Sequence, residues 1–319
     1  MRTSAPLIPS GIERLDPRLD AIVAADSAWR EIGRGFAWSE GPVWRRSGGY
    51  LLFSDIPNNA IHCWRPGGGL SLFMRPAGFT EEHPFGRELG TNGLTFDLED
   101  RLVMCDHGNR RVVRLNERNF TKVVLAQQYG GRRLNSPNDL VFRRDGTLYF
   151  TDPSFGLDGI DGDPAREQPC NGVYRLSPDG VLRRILEDLS IPNGLAFSPD
   201  EKLLYVANCD AAAPHWMAYP VEHDGSLGSG RVFFDASALV NAGRPGLPDG
   251  LKVDEHGNLF CAGPGGVLVL TPCGEHLGTL VTGEKTSNCA FGEDGRTLFV
   301  TADSRVLALR LKVRGAEFT

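Results

Sequence analysis

Six residues with oxygen-bearing side chains recur along this 319-residue chain: Glu40, Asn92, Asn138, Asn193, Asp249 and Asn288. Each opens a short strand-prone run, and successive members stand 39 to 56 residues apart. If folding gathers them, two carboxylates and four amides converge with no imidazole or thiolate in the set. That donor set is hard and oxygen-rich, suited first to Ca²⁺ and then to Mg²⁺ or Mn²⁺, rather than to a zinc site built from nitrogen and sulfur. Glu40 and Asp249 would balance one divalent charge, and the ion would relieve the repulsion of two acids held close together. The competing reading is that Asn-Gly and Asp-Gly at 92, 193 and 249 are only turns. Against it, Glu40 is no turn former and Asn138 and Asn288 lack a following glycine. The hairpins also carry separate turn residues at Asp145-Gly146, Asp200-Glu201, His256-Gly257 and Asp294-Gly295.

The element that must position these groups is clearest in residues 135–156. Residues 140–142 are strand-prone, Asp145-Gly146 is a tight-turn dipeptide, and residues 147–151 are β-branched, aromatic or aliphatic. An antiparallel hairpin returns to its own start, so Asn138 and Asp152 should meet at its open end. Comparable hairpins run over 39–55, 92–106, 193–208, 249–263 and 288–303, and five of the six units continue into a third and a fourth strand. Six units of this size predict an all-β, six-bladed propeller of four-stranded antiparallel blades. The last unit has only a third strand, near 305–313, so a strand at 29–36 is expected to close the sixth blade and hide two sheet edges. The domain therefore spans 29–313, after a surface leader at 1–28 kept irregular by Pro6, Pro9 and Pro17, and before a tail at 314–319. Three long connections, 75–91, 153–171 and 235–248, emerge on the face of the polar ring and read as a lid or specificity wall.

Composition narrows the function classes. A net charge of −6, with no basic cluster interleaved with aromatics, argues against a nucleic-acid partner. No apolar run follows Arg2, so neither a signal peptide nor a membrane span is expected. Seven cysteines without a Cys-x-x-Cys pair suggest reduced thiols and a cytoplasmic protein. There is no Gly-x-Ser-x-Gly elbow, and Cys105 and Cys261 fall inside strand patterns, where a thiol is usually inert. The acidic group Asp158, Asp161 and Asp163 lacks calcium-loop spacing and reads as a solvated loop.

The segments Ser39-Glu40-Gly-Pro-Val-Trp44, Asp106-His-Gly-Asn-Arg-Arg-Val112, Arg133-Leu-Asn-Ser-Pro-Asn-Asp139, Tyr149-Phe-Thr-Asp-Pro153, Ile191-Pro-Asn-Gly194 and Pro248-Asp-Gly250 touch much of the repeat. Together they resemble the gluconolactonase branch of the senescence marker protein/gluconolactonase/luciferin-regenerating enzyme family, over about residues 29 to 313. The resemblance implies a propeller with a divalent ion in its channel, most often Ca²⁺, with Mg²⁺, Mn²⁺ or Zn²⁺ as alternatives, and hydrolysis of a small sugar lactone. Carried over by position, it implies Glu40, Asn193 and Asp249 as metal ligands and Asn138 as a further ligand or substrate contact. One departure bears on substrate: an Arg in the regucalcin-like branch falls at Ser136 here, leaving Arg133 to reach the same space.

On this reading an ion polarises the lactone carbonyl while water attacks, with Asp249 as the base. A ligating carboxylate is a weak base, so Asp152 or Asp106 could serve instead. Asn92, His107, Arg133, Asn138 and Asp152 are the candidate substrate contacts, and His107 reads equally well as a blade-holding histidine. Rival functions are a paraoxonase-like arylesterase or phosphotriesterase, a non-enzymatic binding propeller of NHL type, and a strictosidine-synthase-like propeller. The sequence leaves the native lactone and the oligomeric state open.

Overall fold

Short strands separated by Gly- and Asp-containing turns can bury their apolar faces only by stacking sheet on sheet around an axis. The computed structural model, which describes residues 11–80 and 88–318, shows that arrangement. Blade 1 consists of Ser39–Arg45, Tyr50–Asp55, Ala60–Arg65 and Gly69–Met74. Blade 2 follows with Leu94–Phe96, Leu102–Asp106, Arg111–Asn116 and Thr121–Ala126. Blade 3 is Leu140–Phe142, Leu148–Asp152, Gly172–Leu176 and Leu182–Leu186. Blade 4 is Pro192–Phe197, Leu203–Asp210, Ala213–Pro220 and Arg231–Asp235. Blade 5 is Leu251–Val253, Leu259–Gly263, Gly266–Leu270 and His276–Val281. Thr286–Gly292, Thr297–Ala302 and Arg305–Arg310 begin blade 6, and Arg30–Arg34 pairs antiparallel with Arg305–Arg310 to complete it. The N-terminal closure expected from the sequence is therefore present.

Six apolar clusters fill the gaps between adjacent blades. The closing gap, between blades 6 and 1, is the most aromatic: Trp44 stacks on Phe299 at 5.5 Å between centroids, and Trp64 tilts against the same ring. Large rings at this seam suit its task, because the two blades it joins come from opposite ends of the chain.

Part of the leader departs from expectation. Gly11–Arg14 adds a fifth strand to blade 5, paired with residues 278–281, and a 3₁₀ turn at Pro17–Ala21 follows it. Leu19, Ile22 and Val23 are buried against blades 5 and 6. Pro17 does not disrupt this segment. It occupies the first turn, where its missing N–H costs nothing, and Asp16 caps the turn by accepting from Arg18 N. Residues 1–10 lie outside the described part, as do 81–87 of the first long connection. The second connection is internally tied rather than a bare solvated loop. Asp163 accepts from the N–H groups of Gly159 and Ala165, and Asn171 bonds Asp161. No helix among the described residues is long and apolar enough to cross a membrane.

Candidate active site

Innermost strands reach the channel mouth through a local defect that recurs around the ring. Asn138 N donates to Thr151 O at 2.9 Å and Thr151 N to Asp139 O at 3.0 Å, so two residues oppose one. Asn92 and Gly93 face Cys105 in the same way, as Asp249 and Gly250 face Ala262. In the other three blades the register slips beside Glu40, across Asn193 and before Asn288. Each slip is a β-bulge, which bends the strand and re-aims a side chain. A regular strand would send each leading side chain into a blade interface; the bulge turns it toward the axis.

The glycines that follow four leading residues are explained by the same geometry. A Cβ on Gly93 would lie 2.7 Å from Asn138 O, and one on Gly194 would lie 2.5 Å from Asp249 O and Gly250 Cα. On Gly41 it would strike Asn92 O, and on Gly250 the Asn288 amide. These residues are where one blade touches the next, and their role is to permit that approach rather than to make turns. Only Gly41 among them has a positive φ, of 53°.

Blade 3 breaks this pattern. Its position after Asn138 holds Asp139, a buried carboxylate that reaches across the channel. Asn288 Nδ2 lies 3.2 Å from Glu40 Oε2 and 3.3 Å from Asp139 Oδ2, so one amide bridges two acids from blades 1 and 3. Burial and the Asp139 charge push the Glu40 carboxyl upward. Burial also raises Asp139. Asp249 keeps some solvent access, yet its desolvating walls and the charges of Glu40 and Asp139 hold it well above the carboxylate range. Asp139 thus raises Glu40, and both raise Asp249, a buried acidic group whose repulsion a cation would relieve.

The amides point the same way. Asn92, Asn138 and Asn193 are almost fully buried, and Asn92 Oδ1 has no hydrogen-bond partner among the described residues. A buried acceptor left unpaired is costly unless a ligand completes it. No three His, Cys, Asp or Glu side chains among the described residues are grouped as a metal cluster by themselves. Amide oxygens would therefore have to supply part of any coordination sphere, and a ring of amide and carboxylate oxygens fits a hard cation. Cys209, not singled out from the sequence, hydrogen-bonds with the Asn193 side chain and faces Asp249, and burial pushes its thiol well up. Cys105 and Cys261 are buried with raised thiols, as inert core cysteines should be.

Other expected site residues lie elsewhere or face away. Asp152 does end the hairpin beside Asn138, but its two oxygens accept from Asn135 N and Ser136 N, both at 2.8 Å. Burial raises its carboxyl to about 7. Its lone pairs are directed at backbone, which disfavours a substrate or base role. Asp55 accepts from Ala37 N and Trp38 N, and Asn208 from Ile191 N, at matching offsets before Glu40 and Asn193. The carboxylate or amide at this strand end is thus a repeated clamp on the segment leading into the bulge. Asp106, the other alternative base, is held by Asn109, Arg111 and Lys122. The His107 Nδ1–H donates to Pro137 O at 3.0 Å, and Nε2 lies 2.9 Å from Glu88 Oε2. Through Nδ1, His107 braces the residue before Asn138. Arg133 is exposed on a small hairpin whose N–H bonds Glu167, outside the ring of bulges.

Comparison with known proteins matches this architecture to one family. Residues 38–304 match the family model described as the SMP-30/Gluconolactonase/LRE-like region. A gluconolactonase from Zymomonas mobilis is 42% identical, over 95% of this chain and 87% of that protein. A pentonolactonase from Haloferax volcanii is 27% identical over 82% of this chain and 80% of its own length. A solved gluconolactonase from Xanthomonas campestris superposes with a TM-score of 0.83 at 34% identity, over 97% of this chain and 99% of that one.

Proposed function

This chain belongs to the SMP-30/gluconolactonase/LRE-like family and is a lactonase, and we propose that it hydrolyses a sugar lactone at the channel mouth, with a divalent cation, Ca²⁺ foremost, held by Glu40, Asn138, Asn193 and Asp249. The observation that carries this reading is the Asn288 amide lying between the Glu40 and Asp139 carboxylates at the channel mouth, with their charges acting on Asp249. The chemistry the ion supplies when bound is polarisation of the lactone carbonyl and stabilisation of the charge that develops on its oxygen.

The chain's own groups do the rest. Asn92 Oδ1 accepts a substrate hydroxyl, satisfying its orphaned lone pairs and orienting the sugar ring. Asp249, the most accessible of the three acids, takes the proton from water attacking the carbonyl carbon. Breakage of the ring C–O bond then frees a hydroxy acid, and the proton on Asp249 is available to the departing alkoxide. The Asn288 amide holds Glu40 and Asp139 apart from this exchange.

The test is proton release from D-glucono-1,5-lactone, corrected for spontaneous opening, by chelator-stripped protein with Ca²⁺, Mg²⁺, Mn²⁺ or Zn²⁺ restored, beside Asp249→Asn. The expected result is rescue by an ion and a loss of at least a hundredfold in kcat in the variant. Full activity of the stripped enzyme would refute the ion's role, and full activity of Asp249→Asn would refute the base.

A further inference from the structure

The blade 2 strand that ends at Asp106 turns back through a short 3₁₀ segment, His107–Asn109, and re-enters the sheet at Arg111. Arg110 closes this turn in the left-handed region, at φ 61° and ψ 48°, with its N–H donated to His107 O. Blade 1 makes the same turn after Asp55, where Asn59 at φ 53° donates its N–H to Ile56 O. Asparagine tolerates that conformation, whereas a long side chain is uncommon in it. Blade 2 keeps an arginine there, and the contacts of its side chain give the reason. Arg110 is 3% exposed, so the guanidinium does not reach a substrate. Nε donates to Leu134 O at 2.8 Å and to Asn135 O at 2.9 Å, and Nη1 donates to Ala165 O at 2.9 Å.

Those carbonyls belong to two segments. Residues 134 and 135 lead into Asn138, while Ala165 lies within the second long connection, 153–171. The start of that connection rests on the same lead-in: Ser136 Oγ donates to Pro153 O and accepts from Gly156 N at 2.9 Å. The turn also grips the first connection, since Asn109 Nδ2 donates to Gly78 O at 2.8 Å. A planar guanidinium fork holds two segments at a fixed spacing, which an ammonium on a flexible stem does not. We propose that Arg110 is a positioning residue that fixes the second long connection against the segment carrying Asn138, and that this spacing selects lactones bearing ring hydroxyls over unsubstituted ones. This inference rests on the sugar-lactone reading above. The ester group is common to every lactone and meets the inner ring of the channel; the hydroxyls stand away from it and meet the surrounding wall. A loosened wall therefore weakens binding of the hydroxylated ring and leaves the bare ring little affected.

The experiment compares wild type, Arg110→Asn and Arg110→Lys in proton release from D-glucono-1,5-lactone and from δ-valerolactone, corrected for spontaneous opening. Asparagine is the residue blade 1 uses at this turn, so the backbone accepts it. Arg110→Asn should raise KM for gluconolactone by on the order of tenfold, with kcat within about threefold of wild type and KM for valerolactone unchanged. Arg110→Lys should fall between the two. Amide hydrogen exchange read by mass spectrometry should quicken in residues 154–170 by on the order of tenfold in Arg110→Asn, while the blade strands keep wild-type protection. A merely structural role would instead lower kcat for both lactones by one factor, leave KM alone and quicken exchange throughout; that pattern, or wild-type KM and exchange in both variants, would overturn the proposal. If wild type opens valerolactone but not gluconolactone, the selectivity is overturned directly. If wild type opens neither, the sugar-lactone reading fails and the selectivity with it, while the exchange data still decide whether Arg110 holds the connection.

Discussion

Gly194→Ala separates two explanations of the Asn-Gly pairs around the ring. If Gly194 served only a turn, alanine would be harmless, because Gly194 does not have a positive φ. It would even stabilise the fold by about 0.4–1 kcal/mol, through lower entropy of the unfolded chain. The structure predicts the reverse. The added Cβ would sit 2.5 Å from Asp249 O and from Gly250 Cα and 2.9 Å from Asp249 C, roughly 1 Å inside van der Waals contact. All three atoms are backbone, so no side chain can swing aside, and blades 4 and 5 must part at Asp249. Overpacking of this kind costs typically 1–3 kcal/mol, and the rigidity of the contact places it near about 3. In a chain of this size that lowers Tm by roughly 4–5 °C. A shift of about 1 Å at the proposed base should also cut kcat/KM by on the order of a hundredfold. Thermal unfolding and proton-release kinetics on the same preparation read both effects. Wild-type or greater stability with unchanged kinetics would show that the blades do not meet at Gly194, and would return the dipeptides to turn chemistry.

Two further outcomes follow from the buried acids. The folded-state values of Glu40, Asp139 and Asp249 are raised, whereas unfolded carboxyls titrate near about 4. Their ionisation therefore opposes folding: their contribution to the stability of the ion-free protein is full below that value and is lost as pH rises toward 8. Saturating Ca²⁺ should flatten the slope. The lowered values of His62 and His276 act oppositely up to about pH 6.5, so the pH series is best read against Glu40→Gln, which should lose part of the decline. A wild-type slope that is flat or rising in chelator and identical in the variant would contradict the raising of these acids. Asp152→Asn should cost about 1–3 kcal/mol, because one of the Asn135 and Ser136 amides loses its acceptor. Its kcat should fall far less than that of Asp249→Asn; equal losses would restore Asp152 to the chemistry.

The hairpin periodicity was readable because turn dipeptides and alternating apolar residues are local properties. The pairing of 29–36 with the last blade followed from counting strands and from the cost of open edges. Blade 5's fifth strand was not readable in the same way. Gly11–Arg14 carries little strand propensity and is held by the edge it covers and by Leu19, Ile22 and Val23 behind it, a tertiary effect outside any local window. The ring of leading residues was legible, but the use of its neighbours was not. Asp139 stands where other blades have glycine or Cys289, an exception visible in the sequence; that it reaches Asn288 across the channel depends on a bulge and on the channel's width.

Asp152 shows how a juxtaposition legible in the sequence can serve the backbone. The hairpin does bring Asn138 and Asp152 to one end, yet a strand end at a bulge has amides that no ladder can satisfy. Asp55, Asp152 and Asn208 meet that local need before any ligand arrives. A side chain serving the same backbone positions in three blades is explained by the repeat. Asp139 has no counterpart in the other blades' innermost strands, so the repeat does not explain it. In a closed ring of similar units, chemistry is best sought where one blade departs from the rest. By that criterion the Asp139, Asn288 and Glu40 bridge is where the channel departs from its own repeat, while the strand-end carboxylates serve the propeller.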